Sequence, residues 1–261
     1  MRIRSPHEAA AAAVRSQRRF VPTARTEMNA ATTSTKTAVK CWSCGAAASG
    51  AHFCAACGKI QPLAQGMDYF AVFGWPQKLR IDTAELEKRF HQLSWKLHPD
   101  NFVRATEKER EISLALSSEL NDAYRALREP LSRVEYLLAH SGMRKEGAHK
   151  QQAPPELLEE VFELNESLDE LRESREADEH GSPNGMREVR AKLEAAGKNF
   201  AEKLEESDAD LDVIAGEWDA AIDAGADEPK RLALMTKMND VLNRRSYIRN
   251  LVNKVAAELV I

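Results

Sequence analysis

All four cysteines of the chain lie within residues 41–58, CWSCGAAASGAHFCAACG, as Cys41, Cys44, Cys54 and Cys57. Two C-x-x-C knuckles about ten residues apart bring four thiolates within reach of one tetrahedral ion, at a metal–sulfur distance of about 2.3 Å, and Gly45 and Gly58 let each knuckle turn tightly. The chemistry this spacing suits is structural Zn2+ binding. An iron-sulfur cluster can also take four thiolates, and paired disulfides or a redox dithiol are the other uses of such a set. The chain shows neither a secretory signal nor a thioredoxin-like strand–helix unit, which argues against the last two. A four-thiolate site is closed, so a metallohydrolase ranks last.

A second constellation is His98-Pro99-Asp100, in HQLSWKLHPDNF at residues 91–102. An acid–base dyad would need both side chains to converge on one substrate atom beside a nucleophile or metal. Neighbours across a proline usually point apart, and the sequence offers no such third group. The tripeptide reads better as a rigid tip that docks on another protein, and the chain is not expected to be an enzyme.

The elements that must hold this tip are helices. MDYFAVFGWP predicts a short apolar helix through Tyr69, Phe70 and Phe73, ended by Gly74 and Pro76. Asp82, with Glu85 three residues on, opens the next helix, whose Leu86, Phe90, Leu93 and Leu97 form one buried stripe. Arg89, Gln92 and Lys96 lie on its flank, where an ordinary solvated face is the simplest account. The helix breaks at His98, because Pro99 disfavours helical geometry for its predecessor. A third helix, from about Arg104 to Arg128, buries Ile112, Leu116, Leu120, Ala123 and Leu127. Pro130 suits the first turn of a fourth, PLSRVEYLLAHSG, closed by Gly142.

Two antiparallel helices joined by a His-Pro-Asp loop, with a basic flank on the first, resemble the J-domain of the DnaJ superfamily. MDYFAVFG, LHPDNF, ELNDAYRAL and EPLSRVEYLL further resemble the HscB/Jac co-chaperones of iron-sulfur cluster biogenesis, over residues 67 to about 261. The tetracysteine segment is similar to that of eukaryotic-type members. The resemblance implies an L-shaped all-α protein: a zinc module at 41–62, a J-domain at 67–142, a linker at 143–155 and a three-helix bundle at 156–261. It implies that Asp100 pairs with an arginine of a DnaK/HscA-type ATPase chaperone. His98 and Pro99 would fix the loop, and Arg89 and Lys96 would meet an acidic surface, together raising the chaperone's ATP hydrolysis. A general DnaJ-type folding co-chaperone is the alternative, but that class usually carries a Gly/Phe-rich linker or β-rich client domains, and this chain has neither.

In the C-terminal part, Leu157, Leu158, Val161, Leu164, Leu168 and Leu171 make a stripe wide enough for a bundle interior. Residues 156–180 hold eleven acidic residues against two basic ones, most simply a solvated face. EHGSPNG breaks the pattern. Apolar positions then run through Met186 to Leu204, Leu211 to Trp218, and Met235 to Leu259, which predicts an antiparallel three-helix bundle with a broken middle. The family resemblance implies an apolar patch for an IscU-type iron-sulfur scaffold protein, carried here by Leu158, Phe162 and Tyr247. Glu159 stands where members often have Met, and Asn165 where many have Arg.

Charged residues make up 30% of the 261, hydrophobic ones 43%, and the net charge is −4, which does not point to nucleic acid as a partner. No apolar run approaches the roughly 18 residues of a membrane span. Residues 1–40 are rich in Ala, Arg, Thr and Ser, with only Glu8 and Glu27 acidic, and are expected to be a disordered basic tail. The chain is expected to be a bacterial cytoplasmic protein; the alternative is the mitochondrial matrix, if residues 1–40, which resemble a transit peptide in charge, are one, and Met28 is a second candidate start.

Overall fold

The computed structural model describes residues 39–48, 52–64, 66–144, 154–176 and 183–260. Of the expected tail at 1–40, the residues up to 38 lie outside the described residues, as do most of the linker and most of EHGSPNG, while Val39 and Lys40 form a strand instead. Two two-residue strands, β1 (Val39–Lys40) and β2 (Ala47–Ala48), pair antiparallel around the first knuckle. Among the described residues seven α-helices follow: α1 (Tyr69–Val72), α2 (Thr83–Leu97), α3 (Glu107–Arg128), α4 (Pro130–His140), α5 (Leu158–Glu176), α6 (Pro183–Asp223) and α7 (Glu228–Val260). No helix among them is long and apolar enough to cross a membrane.

Local chemistry sets the helix ends. Asp68 caps α1 by accepting from the Ala71 N–H at 2.8 Å, and Asp82 caps α2 through the N–H groups of Ala84 and Glu85. α3 starts at Glu107, three residues later than the apolar pattern suggests. Thr106 and Glu109 form a reciprocal capping box there, which satisfies two backbone donors at once. Pro130 begins α4, where its missing N–H costs nothing.

Helices α1–α4 bury Phe70, Leu86, Leu97, Leu116, Leu120, Leu127 and Leu138 in one core. Ile60, from the tetracysteine segment, belongs to the same core at 1% exposure, so that segment is packed into the helices rather than strung before them. The adjoining ends of α6 and α7 also enter this core through Leu211, Trp218, Leu234, Met238 and Leu242. Polar contacts lock the junction. The Trp218 indole donates to the Gln77 carbonyl at 2.6 Å, and the Asp219 carboxylate accepts from the N–H groups of Leu79 and Arg80.

A second core fills the three-helix part with Leu157, Leu164, Leu168, Leu193, Phe200, Ile248, Leu251 and Val255. Ion pairs give the helix directions. Lys192–Glu170 and Lys203–Glu160 set α5 antiparallel to α6, while Arg172–Glu258 together with the Lys254–Asn165 hydrogen bond sets α5 parallel to α7.

The middle helix is not broken. α6 runs through all 41 residues from Pro183 to Asp223, because EESDAD at 205–210 contains neither Gly nor Pro. What looked like a break in periodicity is a change of partner. Phe200 faces the three-helix core, and Leu211 onward faces the core of α1–α4, so the buried face shifts without any interruption of the backbone.

Candidate functional site

Three places carry the expected functional residues. The first is the cysteine cluster, whose four sulfurs all lie within 4.8 Å of one another. Cys41 and Cys57 Sγ are 3.7 Å apart, and Cys44 and Cys54 Sγ 3.8 Å. A tetrahedral ion with bonds of about 2.3 Å requires sulfur–sulfur separations of roughly 3.8 Å. The donor set therefore fits a metal, and the separations are far beyond a disulfide bond of about 2 Å. Gly45 and Gly58 hold φ of 73° and 71°, and their N–H groups close each turn onto the carbonyls of Cys41 and Cys54. The N–H groups of Cys44 and Ser43 point at Cys41 Sγ. The Cys44 N–H is the main reason the Cys41 thiol is pulled down to about 6. At Cys57 the Lys59 N–H acts in the same direction, but burial and three neighbouring sulfurs outweigh it and push that thiol up to about 12. Four thiolates this close repel one another until a cation sits among them.

The second place is the loop between α2 and α3. Pro99–Phe102 forms a single 3₁₀ turn, and the His98 ring accepts from the Asp100 N–H through Nδ1 at 3.3 Å. The imidazole therefore caps the turn. The Asp100 carboxylate stands 86% exposed, 3.5 Å from the same nitrogen, and is available to a partner. Asn101 folds back and donates its side-chain N–H to the Trp95 carbonyl at 2.6 Å. Beneath the loop, the Leu97 carbonyl at the end of α2 accepts from the hydroxyls of Ser113 and Ser117 on α3. Arg89 and Lys96 are exposed and seven residues apart, so they share one face of α2 two turns from each other. From Lys88 to Leu97 the helix has no acidic residue.

The third place is the outer face of α5. Leu158 is 55% and Phe162 71% exposed, although both are large and apolar. Tyr247 is half-buried and packs against the second core. The Lys254–Asn165 contact and the parallel run of α5 and α7 put Tyr247 at about the level of Leu158, since both pairs are separated by 89 positions (254 − 165; 247 − 158). Of the two departures from the family pattern, Glu159 is exposed, and Asn165 accepts from Lys254 at 2.8 Å.

Some residues at these places were not singled out from sequence. Trp42 and Lys59, each one or two residues past a cysteine, reach the first turn of α3 at Lys108 and Glu109. No periodic pattern marks contacts of that range. The Thr106-x-x-Glu109 capping box, by contrast, was readable as a motif.

No family model matches the chain. Among curated proteins, a "Co-chaperone protein HscB homolog" of Vibrio parahaemolyticus is 38% identical over 105 residues, 40% of this chain and 61% of that protein. The chain thus spans about three fifths of the length of that relative. The mouse "Iron-sulfur cluster co-chaperone protein HscB" is 31% identical over 171 residues, 64% of this chain and 69% of the mouse protein. Among solved structures, human co-chaperone protein HscB superposes with a TM-score of 0.52 at 25% identity, over 84% of this chain and 98% of that one.

Proposed function

We propose that this chain, which belongs to the HscB family of co-chaperones, binds an IscU-type iron-sulfur scaffold protein and presents it to a DnaK/HscA-type ATPase chaperone. The His98-Pro99-Asp100 loop stimulates that chaperone's ATP hydrolysis, and cluster assembly and transfer are promoted as a result. The observation that carries this reading is the loop itself: an exposed carboxylate at Asp100, held on a turn that His98 caps, beside an acid-free stretch of α2.

Each residue then has a physical task. Asp100 pairs with an arginine of the ATPase domain, and a carboxylate–guanidinium pair is among the stronger charge-assisted contacts. Pro99 restricts the turn, which lowers the ordering cost of docking. Arg89 and Lys96 steer the acidic surface of the chaperone toward the loop. Docking favours the hydrolysing state of the chaperone because the loop binds that state better. Leu158, Phe162 and Tyr247 form the scaffold-binding face, with the two exposed side chains as anchors and Tyr247 as their half-buried neighbour.

The metal we assign to Cys41, Cys44, Cys54 and Cys57 is Zn2+, whose tetrahedral four-thiolate preference the sulfur separations suit. It would supply cross-linking energy to a segment too small to hold itself together. The chain's own residues do the rest: two knuckles, two glycine turns, and Ile60 inserted into the core.

The test is co-purification from the source cell with the tagged full chain as bait. A scaffold of the IscU type and an ATPase chaperone should come together. Recovery of a mixed population of unfolded proteins without the scaffold would contradict the reading.

A further inference from the structure

Two residues that follow the cysteines, Trp42 and Lys59, turn toward the start of α3. Trp42, next to Cys41, lies under the Lys108 ammonium, with Nζ 4.6 Å from the ring centroid, and its indole N–H donates to the Ile60 carbonyl at 2.6 Å. Lys59, two residues after Cys57, places Nζ 2.8 Å from Glu109 Oε1. Each knuckle thus sends one side chain onto the same turn, the first of α3.

Glu109 makes this contact informative. It is a carboxylate with only 5% exposure, a position that acidic residues rarely occupy unless paired. One oxygen takes the Lys59 ammonium; the other accepts from the N–H and hydroxyl of Thr106. That capping box fixes the chain where it enters α3, four residues past Phe102, the end of the Pro99–Phe102 turn. Further along α3, Ser113 and Ser117 hold the last carbonyl of α2 before His98. The loop is therefore bounded on one side by α2, which α3 ties down, and on the other by a helix start that the cysteine segment ties down. The same segment anchors behind α1, where His52 Nε2 lies 2.9 Å from the Val72 carbonyl.

We infer that Lys59 and Trp42 are positioning residues through which the metal-bound knuckles hold the start of α3, and with it the His98-Pro99-Asp100 loop, in docking geometry. Loss of the metal frees the two knuckles, withdraws Lys59 and Trp42 from α3, and leaves Glu109 a buried carboxylate without its cation. The helix start then frays, and the loop with it. Metal occupancy of the cysteine site becomes a condition for presenting Asp100, although no ligand touches the loop. The functional half of this inference rests on the docking role proposed above; the structural half does not.

Hydrogen exchange on the full chain tests the structural half directly. Removing the metal with a chelator should speed amide exchange across residues 99–110 by about tenfold or more, the scale of one charge-assisted hydrogen bond, while α5 and the facing part of α7 keep their protection. Lys59→Met, which leaves all four cysteines and the metal in place, should speed exchange in the same window, and Lys59→Arg should restore it. A filler of the space under Glu109 would not discriminate between Met and Arg in this way. Unchanged exchange in 99–110 on both chelation and Lys59→Met would overturn the inference. So would loss of protection throughout α1–α4 in Lys59→Met, because Lys59 would then support the whole core rather than the helix start. Chaperone ATPase stimulation separates the two readings: if Asp100→Asn abolishes it and Lys59→Met leaves it intact, docking stands and the positioning role falls. If Asp100→Asn leaves it intact as well, the docking reading itself fails.

Discussion

The Ser113 hydroxyl donates to the Leu97 carbonyl at 2.6 Å, across the gap between α3 and the last turn of α2. Ser117 donates to the same oxygen at 3.1 Å. Helix C-termini leave their carbonyls without intrahelical donors, and here the orphan is buried just before the His98-Pro99-Asp100 loop. Two serines one turn apart on the neighbouring helix supply what the backbone cannot.

Replacing both serines with alanine should leave that carbonyl unpaired in the core and cost about 1–3 kcal/mol of stability. Ser117→Ala alone should cost much less, since Ser113 still donates. Urea unfolding of the single and double variants checks this. Additive small losses would mean that the carbonyl has another donor.

The α5 face gives a second prediction, and the structure divides the trio unequally. Leu158→Ala and Phe162→Ala remove exposed side chains, so each should change stability by less than about 0.5 kcal/mol while weakening scaffold binding by about 2 kcal/mol or more. Tyr247→Ala should lower both, because that ring also packs against the second core. Calorimetric titration of the scaffold, run beside thermal unfolding, reads the two effects separately. Unchanged scaffold affinity in the Leu158/Phe162 double variant would reject the face.

A third prediction concerns pH. The hydrogen bond from Lys59, followed by that from Thr106, holds the Glu109 carboxyl below its ordinary value of 4.5. A depressed folded-state value stabilises the fold above the unfolded value and loses that contribution as pH falls through the folded one. Wild type should therefore lose stability below about pH 4.5 more steeply than Glu109→Gln. Metal release in acid frees Lys59 from Glu109 in wild type alone, which adds to the difference in the same direction. Parallel stability profiles from pH 6 to 3 would contradict the pairing.

For the metal, analysis of the purified chain should find about one Zn2+ per chain, and Cys54→Ser should release it. Because Ile60 belongs to the core of α1–α4, that loss should also lower the thermal midpoint of those helices. A chain that holds no metal yet keeps its midpoint would contradict the role assigned to the knuckles.

Much of this architecture is written in local pattern. Leu86 and Leu97, or Leu116, Leu120 and Leu127, repeat at helical spacing, and all five are buried where that spacing puts them. The knuckle glycines, the Asp82 cap and the proline after His98 act within a few residues of themselves, which is why they can be read directly. The continuity of α6 was harder, because a helix that changes packing partner near Ser207 changes its buried face, and on paper that resembles a break. Contacts such as Lys59–Glu109 or Trp218–Gln77 leave no periodic trace at all. They link residues 50 and 141 positions apart, and only the folded chain shows that they meet.

Under the proposed function, the loop of this chain drives the ATPase of a partner chaperone on behalf of a bound scaffold. Single-turnover ATP hydrolysis by the cognate chaperone, measured with the full chain, with Asp100→Asn, and each with and without the scaffold, tests it most directly. The expected result is strong stimulation by the wild-type chain, a further rise when the scaffold is present, and return to the basal rate with Asp100→Asn despite an unchanged fold. Full stimulation by Asp100→Asn, or none by the wild type, would contradict it.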